Sequence, residues 1–199
     1  MRGKLPQIPT TVRQWSISER MPPEDHGIFK ITTKTVLSPR TGAAIRVKSI
    51  SMRDWVVVLP LTEEGEVVMV QQYRHGVEGV FLELPGGLID PGDGSPAVAA
   101  GRELREETGF EAMELVSLGS CFPVPALMEN RCFFVLAHNV RPVCEPQPDP
   151  GEDIEVVRLA LAEVPHLMQT GQISSGMIQL AFSMYFLQRG MAPGSRGVR

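Results

Sequence analysis

Residues 101–110 read GRELREETGF, three glutamates and two arginines between two glycines. Ser95-Pro96 upstream and Gly109 downstream bracket a helix from about Ser95 to Thr108, because proline suits the first helical turn and glycine the residue after the last. At about 100° per residue, Glu106 falls about 60° to one side of Glu103 and Glu107 about 40° to the other, so all three share one face. Like charges three and four residues apart repel, each pair costing up to about 0.5 kcal/mol. The last turn is also the negative end of the helix dipole, which disfavours a carboxylate by about 0.3–1 kcal/mol. Such a helix needs positive charge against that face. Arg102 and Arg105 flank the face without occupying its centre, while Ala99 and Ala100 leave room one turn earlier. Two readings follow: surface ion pairs with the arginines, or a divalent cation held by hard oxygen ligands. Without His or Cys among them, those ligands suggest magnesium or manganese.

A chain of 199 residues predicts one domain with appendages. Its charge of -4 and pI near 5.6 argue against a nucleic acid or an anionic membrane as partner, since both require a basic face. Cys121, Cys132 and Cys144 are odd in number and lack metal-ligand spacing, which fits a reducing cytoplasm better than a disulfide framework. MRGKLPQIPT has no apolar run behind its basic pair, and GMIQLAFSMYFLQ is too short to span a bilayer. Residues 1–10 and 191–199 are expected to be loosely ordered.

Between those ends, WSISER, GIFKITTKTVLS and AAIRVKSISM read as strands of an N-terminal β-unit, with a hairpin turn at SPRTGA. WVVVLPL, a turn at TEEGE, VVMVQQYRH and FLELP form a denser β region. A loop follows Gly86 and Gly87, then the acidic helix. MELVSLGS and RCFFVLAHNV read as strands, CEPQPDPGED as a loop, IEVVRLA as a strand, LAEVPHLMQ as a short helix, and Ser175 to Gln188 as a final helix. There is no internal repeat, Walker loop, dinucleotide-binding glycine pattern or nucleophile elbow.

GGLIDPGDGSPAVAAGRELREETGF resembles the Nudix box, a pattern of Gly, five residues, Glu, seven residues, then Arg-Glu-apolar-any-Glu-Glu-any-Gly-apolar. The second half matches at every position from Arg102 to Phe110. FLELPGGLIDPG and VVMVQQYRHGVEGVFLELPGG resemble the ADP-ribose pyrophosphatase branch of that family. The first half departs from the pattern: Asp93 stands where the family has Glu, and Gly94 makes the following spacer eight residues long.

The resemblance implies an α/β/α sandwich with a mixed β-sheet and a small N-terminal β-unit at residues 11–52, ahead of a hydrolase domain at 53–190. It implies that Glu103 and Glu107 are the main ligands of Mg2+, for which Mn2+ could substitute, with Glu106 in the same cluster and in the chemistry. The carbonyl of Gly86 completes that site. Asp93 and Arg102 would support the box. Arg74, with Glu83 and Gly87, would bind substrate, although the residues alone equally allow Arg74 to be a strand-end cation paired with Glu83 or Glu78. In the loop DPGEDIEV, Glu152 matches the family's mobile catalytic glutamate, with Asp153 and Asp149 as alternates.

The implied activity is metal-dependent hydrolysis of a nucleoside diphosphate derivative, ADP-ribose first, to AMP and ribose 5-phosphate. The alternatives are a non-catalytic nucleotide sensor and a hydrolase of another nucleotide sugar or dinucleotide. The implied assembly is a homodimer through the N-terminal unit. Trp15, Phe29 and Trp55 are the rings available for a base, each equally a core residue.

Overall fold

The structure, a computed structural model, describes residues 10–148 and 151–190. Asp149 and the terminal stretches 1–9 and 191–199 lie outside the described residues. Two units emerge: the chain up to Met52 with Ala126–Glu129, and Arg53–Pro125 with the chain from Asn130 onward.

The first unit is an antiparallel sheet of β1 (Ser16–Arg20), β2 (Glu24–Asp25), β3 (Phe29–Leu37) and β4 (Ala44–Met52). β3 is central, pairing with β4 on one edge and with β1 and β2 on the other. Gly42, at φ 74°, makes the β3–β4 turn, where a side chain would be disfavoured. Residues 126–129 join this unit through an Ile50–Met128 bridge and the Lys34–Glu129 ion pair at 2.6 Å.

The second unit contains β5 (Trp55–Leu61), β6 (Glu66–Arg74), β7 (Gly79–Glu83) and β8 (Gly86–Leu88), then α1 (Pro96–Thr108). β9 (Phe110–Glu111), β10 (Glu114–Cys121), β11 (Cys132–His138), β12 (Arg141–Pro142) and β13 (Ile154–Ala160) follow. A 3-10 turn at Leu161–Glu163, α2 (Val164–Gln169) and α3 (Gly176–Gln188) close it. The main sheet runs β10-β11-β5-β6-β13, with β11 and β5 parallel and its other pairs antiparallel.

β5 reads as an unbroken apolar run because helices cover both sheet faces. Val56 and Val58 pack with Ala99, Ala100 and Leu104 of α1, whereas Val57, Leu59 and Leu61 pack with Ile178, Phe182 and Phe186 of α3. No helix among the described residues is long and apolar enough to cross a membrane.

β5 and β6 pair only at Leu61 and Val67, beside their turn. Farther along, β5 pairs with β8 and β6 with β7, so the sheet forks. Gly86–Leu88 is therefore a strand inside the fork, and the loop expected after Gly87 begins only beyond Leu88. A Cβ on Gly86 would lie 2.2 Å from the Val56 carbonyl oxygen, and one on Gly87 would lie 2.6 Å from Oε1 of Glu103. The glycines let β8 press between β5 and the acidic helix, a contact invisible in local sequence.

Candidate active site

α1 starts where the Ser95 side chain accepts from the Val98 N–H, with Pro96 in the first turn, and ends at Gly109 in the left-handed region. Two-thirds of the way along it, Leu104 anchors the apolar side in the core while the acidic face turns toward β8. Glu103, Glu106 and Glu107 line a cleft of about 260 Å3 together with Arg74, Gly86, Gly87, Arg102 and Glu152. The structure thus gathers four separate stretches of chain that the sequence named.

Burial dominates the chemistry of this face. Glu107 is 3% exposed, and its carboxyl is pushed up to about 8 by burial, assisted by the nearby charges of Glu103 and Glu152 and opposed by the Gly86 N–H, which donates to Oε2 at 3.0 Å, and by Arg74. Glu103 is pushed up to about 7 by burial, with Arg102 opposing and Glu106 and Glu152 adding to the rise. Glu152 therefore acts electrostatically on both helix carboxyls.

Arg102 occupies a different place from the one its helical angle suggested. Its guanidinium reaches across the acidic face, with Nη1 2.9 Å from Glu103 Oε1 and 2.8 Å from Glu106 Oε2. Nε and Nη2 hold both oxygens of Asp93 at 3.0 Å, and Nη2 also donates to the Leu88 carbonyl at 3.1 Å. Asp93 in turn accepts from the Asp90 N–H at 2.7 Å, and the arginine keeps its carboxyl below the usual carboxylate range. Gly94 sits at φ 70° with open space around it, so the additional residue is absorbed in a turn. Arg105 pairs with Glu111, away from the face.

Arg74 Nε donates to Glu83 at 2.7 Å, and Glu83 is buried. The pairing that the residues allowed is present, and Arg74 still borders the cleft. Sequence reasoning did not single out Arg53, Asp90 or Gln147, which also line it. Their only local signal is polarity in a loop or at a strand end. Asp153 is not among the lining residues. Of the three rings, Trp15 is half-exposed and Phe29 stacks on His26 in the N-terminal unit, whereas Trp55 faces a second, largely apolar cavity of about 350 Å3.

The acidic loop is fastened to the helix end. The Gly109 carbonyl accepts from the N–H groups of Val143 and Cys144 at 2.9 and 3.2 Å, and the Gln147 N–H donates to the Glu106 carbonyl at 2.7 Å. These bonds satisfy carbonyls that a helix end leaves open.

A profile of the NUDIX domain matches residues 52–179. The chain belongs to the Nudix family. The Nudix chain is 29% identical over 134 residues to the ADP-ribose pyrophosphatase of Bacillus subtilis (strain 168), covering 67% of this chain and 71% of that one. It is 32% identical over 117 residues to the ADP compounds hydrolase NudE of Escherichia coli (strain K12), covering 59% and 61%. A crystal structure of an ADP compounds hydrolase shares the fold, with a TM-score of 0.80 at 22% identity, covering 92% of this chain and all of that one. The protein is a Nudix pyrophosphohydrolase of the ADP-ribose pyrophosphatase-like branch.

Nudix hydrolases generally use divalent metals. Among the described residues, no three His, Cys, Asp or Glu side chains converge closely enough to hold an ion as they stand, since Glu103 and Glu106 turn to Arg102. The donor chemistry nevertheless suits a hard cation, since the acidic groups lining the cleft offer only carboxylate oxygens.

Proposed function

We propose that this Nudix protein hydrolyses the pyrophosphate of ADP-ribose to AMP and ribose 5-phosphate, with magnesium as the cofactor and manganese as a substitute. One observation carries the reading: Glu103, Glu106, Glu107, Glu152 and Arg74 border a single cleft. Glu103, Glu106, Glu107 and the Gly86 carbonyl would hold the metal. When bound, a divalent cation supplies positive charge that offsets the negative charge of the pyrophosphate.

The protein's own groups do the rest. Arg74 gives the phosphates a fixed cationic donor, and Gly86 and Gly87 let the diphosphate approach the backbone. Water attacks one phosphorus, the bond from that phosphorus to the bridging oxygen breaks, and Glu152 takes the proton of the water. Arg102, clamped by Asp93, keeps the box loop against the helix. We further propose the N-terminal unit as the dimerisation element, and a reducing cytoplasm as the setting that suits the three thiols.

Product analysis with magnesium and ADP-ribose tests the reading. AMP plus ribose 5-phosphate should appear, and should vanish with a chelator. Glu107→Gln should cut turnover by orders of magnitude in a folded protein. Near-normal turnover in that variant would remove Glu107 from the chemistry, and no turnover in the unaltered protein would sink the reaction.

A further inference from the structure

Gln72 is 5% exposed, and its side-chain Nε2 has no hydrogen-bond partner among the described residues. An amide donor shut away from water without an acceptor is costly, and such groups are uncommon in folded proteins. Side chains alternate along β6, so Gln72 shares the α1 face of the sheet with Val68, Val70 and Arg74. Directly opposite it stand Phe81 on β7 and Ile154 on β13, whose side chains cannot accept a hydrogen bond. Glu83 is different. It lies opposite Val70 on that same face, which makes it the diagonal neighbour of Gln72, a separation that long side chains bridge. Arg74 lies one step to the other side, so the Arg74–Glu83 ion pair, 2.7 Å from Nε to Oε2, spans the position of Gln72.

We propose that Gln72 is a positioning residue for this pair: when the Arg74 guanidinium turns to the substrate diphosphate, the Gln72 amide donates to the Glu83 carboxylate in its place. The inference rests on the reading that Arg74 binds phosphate. One edge of a guanidinium cannot serve a carboxylate and a phosphate together, and Arg74 Nε is given to Glu83 here. Glu83 is buried, so release of Arg74 alone would leave a carboxylate with neither water nor donor, which opposes the release. A neutral donor on the same face lowers that cost without adding a charge that competes for the phosphate.

Gln72→Met keeps the shape and removes the amide. In the otherwise unaltered protein it should leave the melting temperature equal or raise it, because an unbonded buried donor is lost. In an Arg74→Met background, where Glu83 has lost its cation, the same change should lower melting by several degrees. With Glu83→Gln added to that background the loss should vanish again, because no buried carboxylate remains. Equal effects of Gln72→Met in the first two backgrounds would overturn the proposal. A loss that persists without the Glu83 charge would assign the amide to another acceptor and overturn it as well. With magnesium and ADP-ribose, Gln72→Met should raise KM about tenfold and change kcat less than about threefold, and an unchanged KM would count against the role. The melting series uses no substrate, so the two readings fail separately. Absence of hydrolysis removes the reaction while the series still decides whether Gln72 holds Glu83.

Discussion

Glu103 and Glu107, pushed up to about 7 and about 8 from an ordinary 4.5, make stability depend on pH. A carboxyl whose folded value is raised stabilises the fold fully below its unfolded value, and that contribution is lost as pH rises through the folded value. The metal-free protein should therefore melt highest near pH 5 and lower by several degrees at pH 9, and Glu107→Gln should flatten the fall. A wild-type melting temperature constant across that window would contradict the burial of these groups. Saturating magnesium should raise melting most at the alkaline end, because it favours the ionised carboxylates. The glutamate trio was legible because helical spacing alone puts it on one face. The reach of Arg102 was not, because its direction depends on Asp93 across a loop. Asp93→Ala removes both acceptors of that clamp and should cost about 1–3 kcal/mol in chemical denaturation. An unchanged midpoint would show that Glu103 and Glu106 suffice to hold Arg102.

At the scale of elements, the glycine strand β8 separates two kinds of crowding. A Cβ on Gly86 meets the backbone of β5, which cannot yield, whereas one on Gly87 meets the tip of the Glu103 side chain. Gly86→Ala should destabilise by about 1–3 kcal/mol or more, as overpacking does. Gly87→Ala should melt within a few degrees of wild type yet lose most of its turnover, because only a carboxylate is displaced. Equal melting temperatures for the two variants would count against the close approach of β8 to β5. Nothing local marks the glycine pair as a strand, so sequence reading ended the β region before it and placed a loop after it. The strand exists because β5 offers an open edge at Val56 and Val57 once β6 diverges, a fact of tertiary pairing. The main helices and most long strands were readable because their apolar periods and caps are local.

For the whole molecule, the N-terminal sheet aligns Ile17, Val36 and Ile45 across three strands, with Ile17 and Ile45 nearly half exposed. A row of that kind suits an apolar partner such as a second copy of the chain. Light scattering should report a dimer, and Ile45→Glu should shift it toward monomer. A wild-type monomer at micromolar concentration would remove the dimer proposal. Sequence reasoning outlined this unit from its strands but missed Ala126–Glu129, since a single bridge to Ile50 leaves no pattern in the chain. The loop that carries Glu152 has a mechanical side as well. Gln147 is fixed to the end of α1 and Ile154 is paired with Gln72, so Glu152 hangs five residues from one anchor and two from the other. At about 3.5 Å per residue the shorter arm is a leash of roughly 7 Å. The shorter tether sets how far the carboxylate can lie from the Ile154 pairing, and residues inserted between Gln147 and Glu152 would leave that limit unchanged.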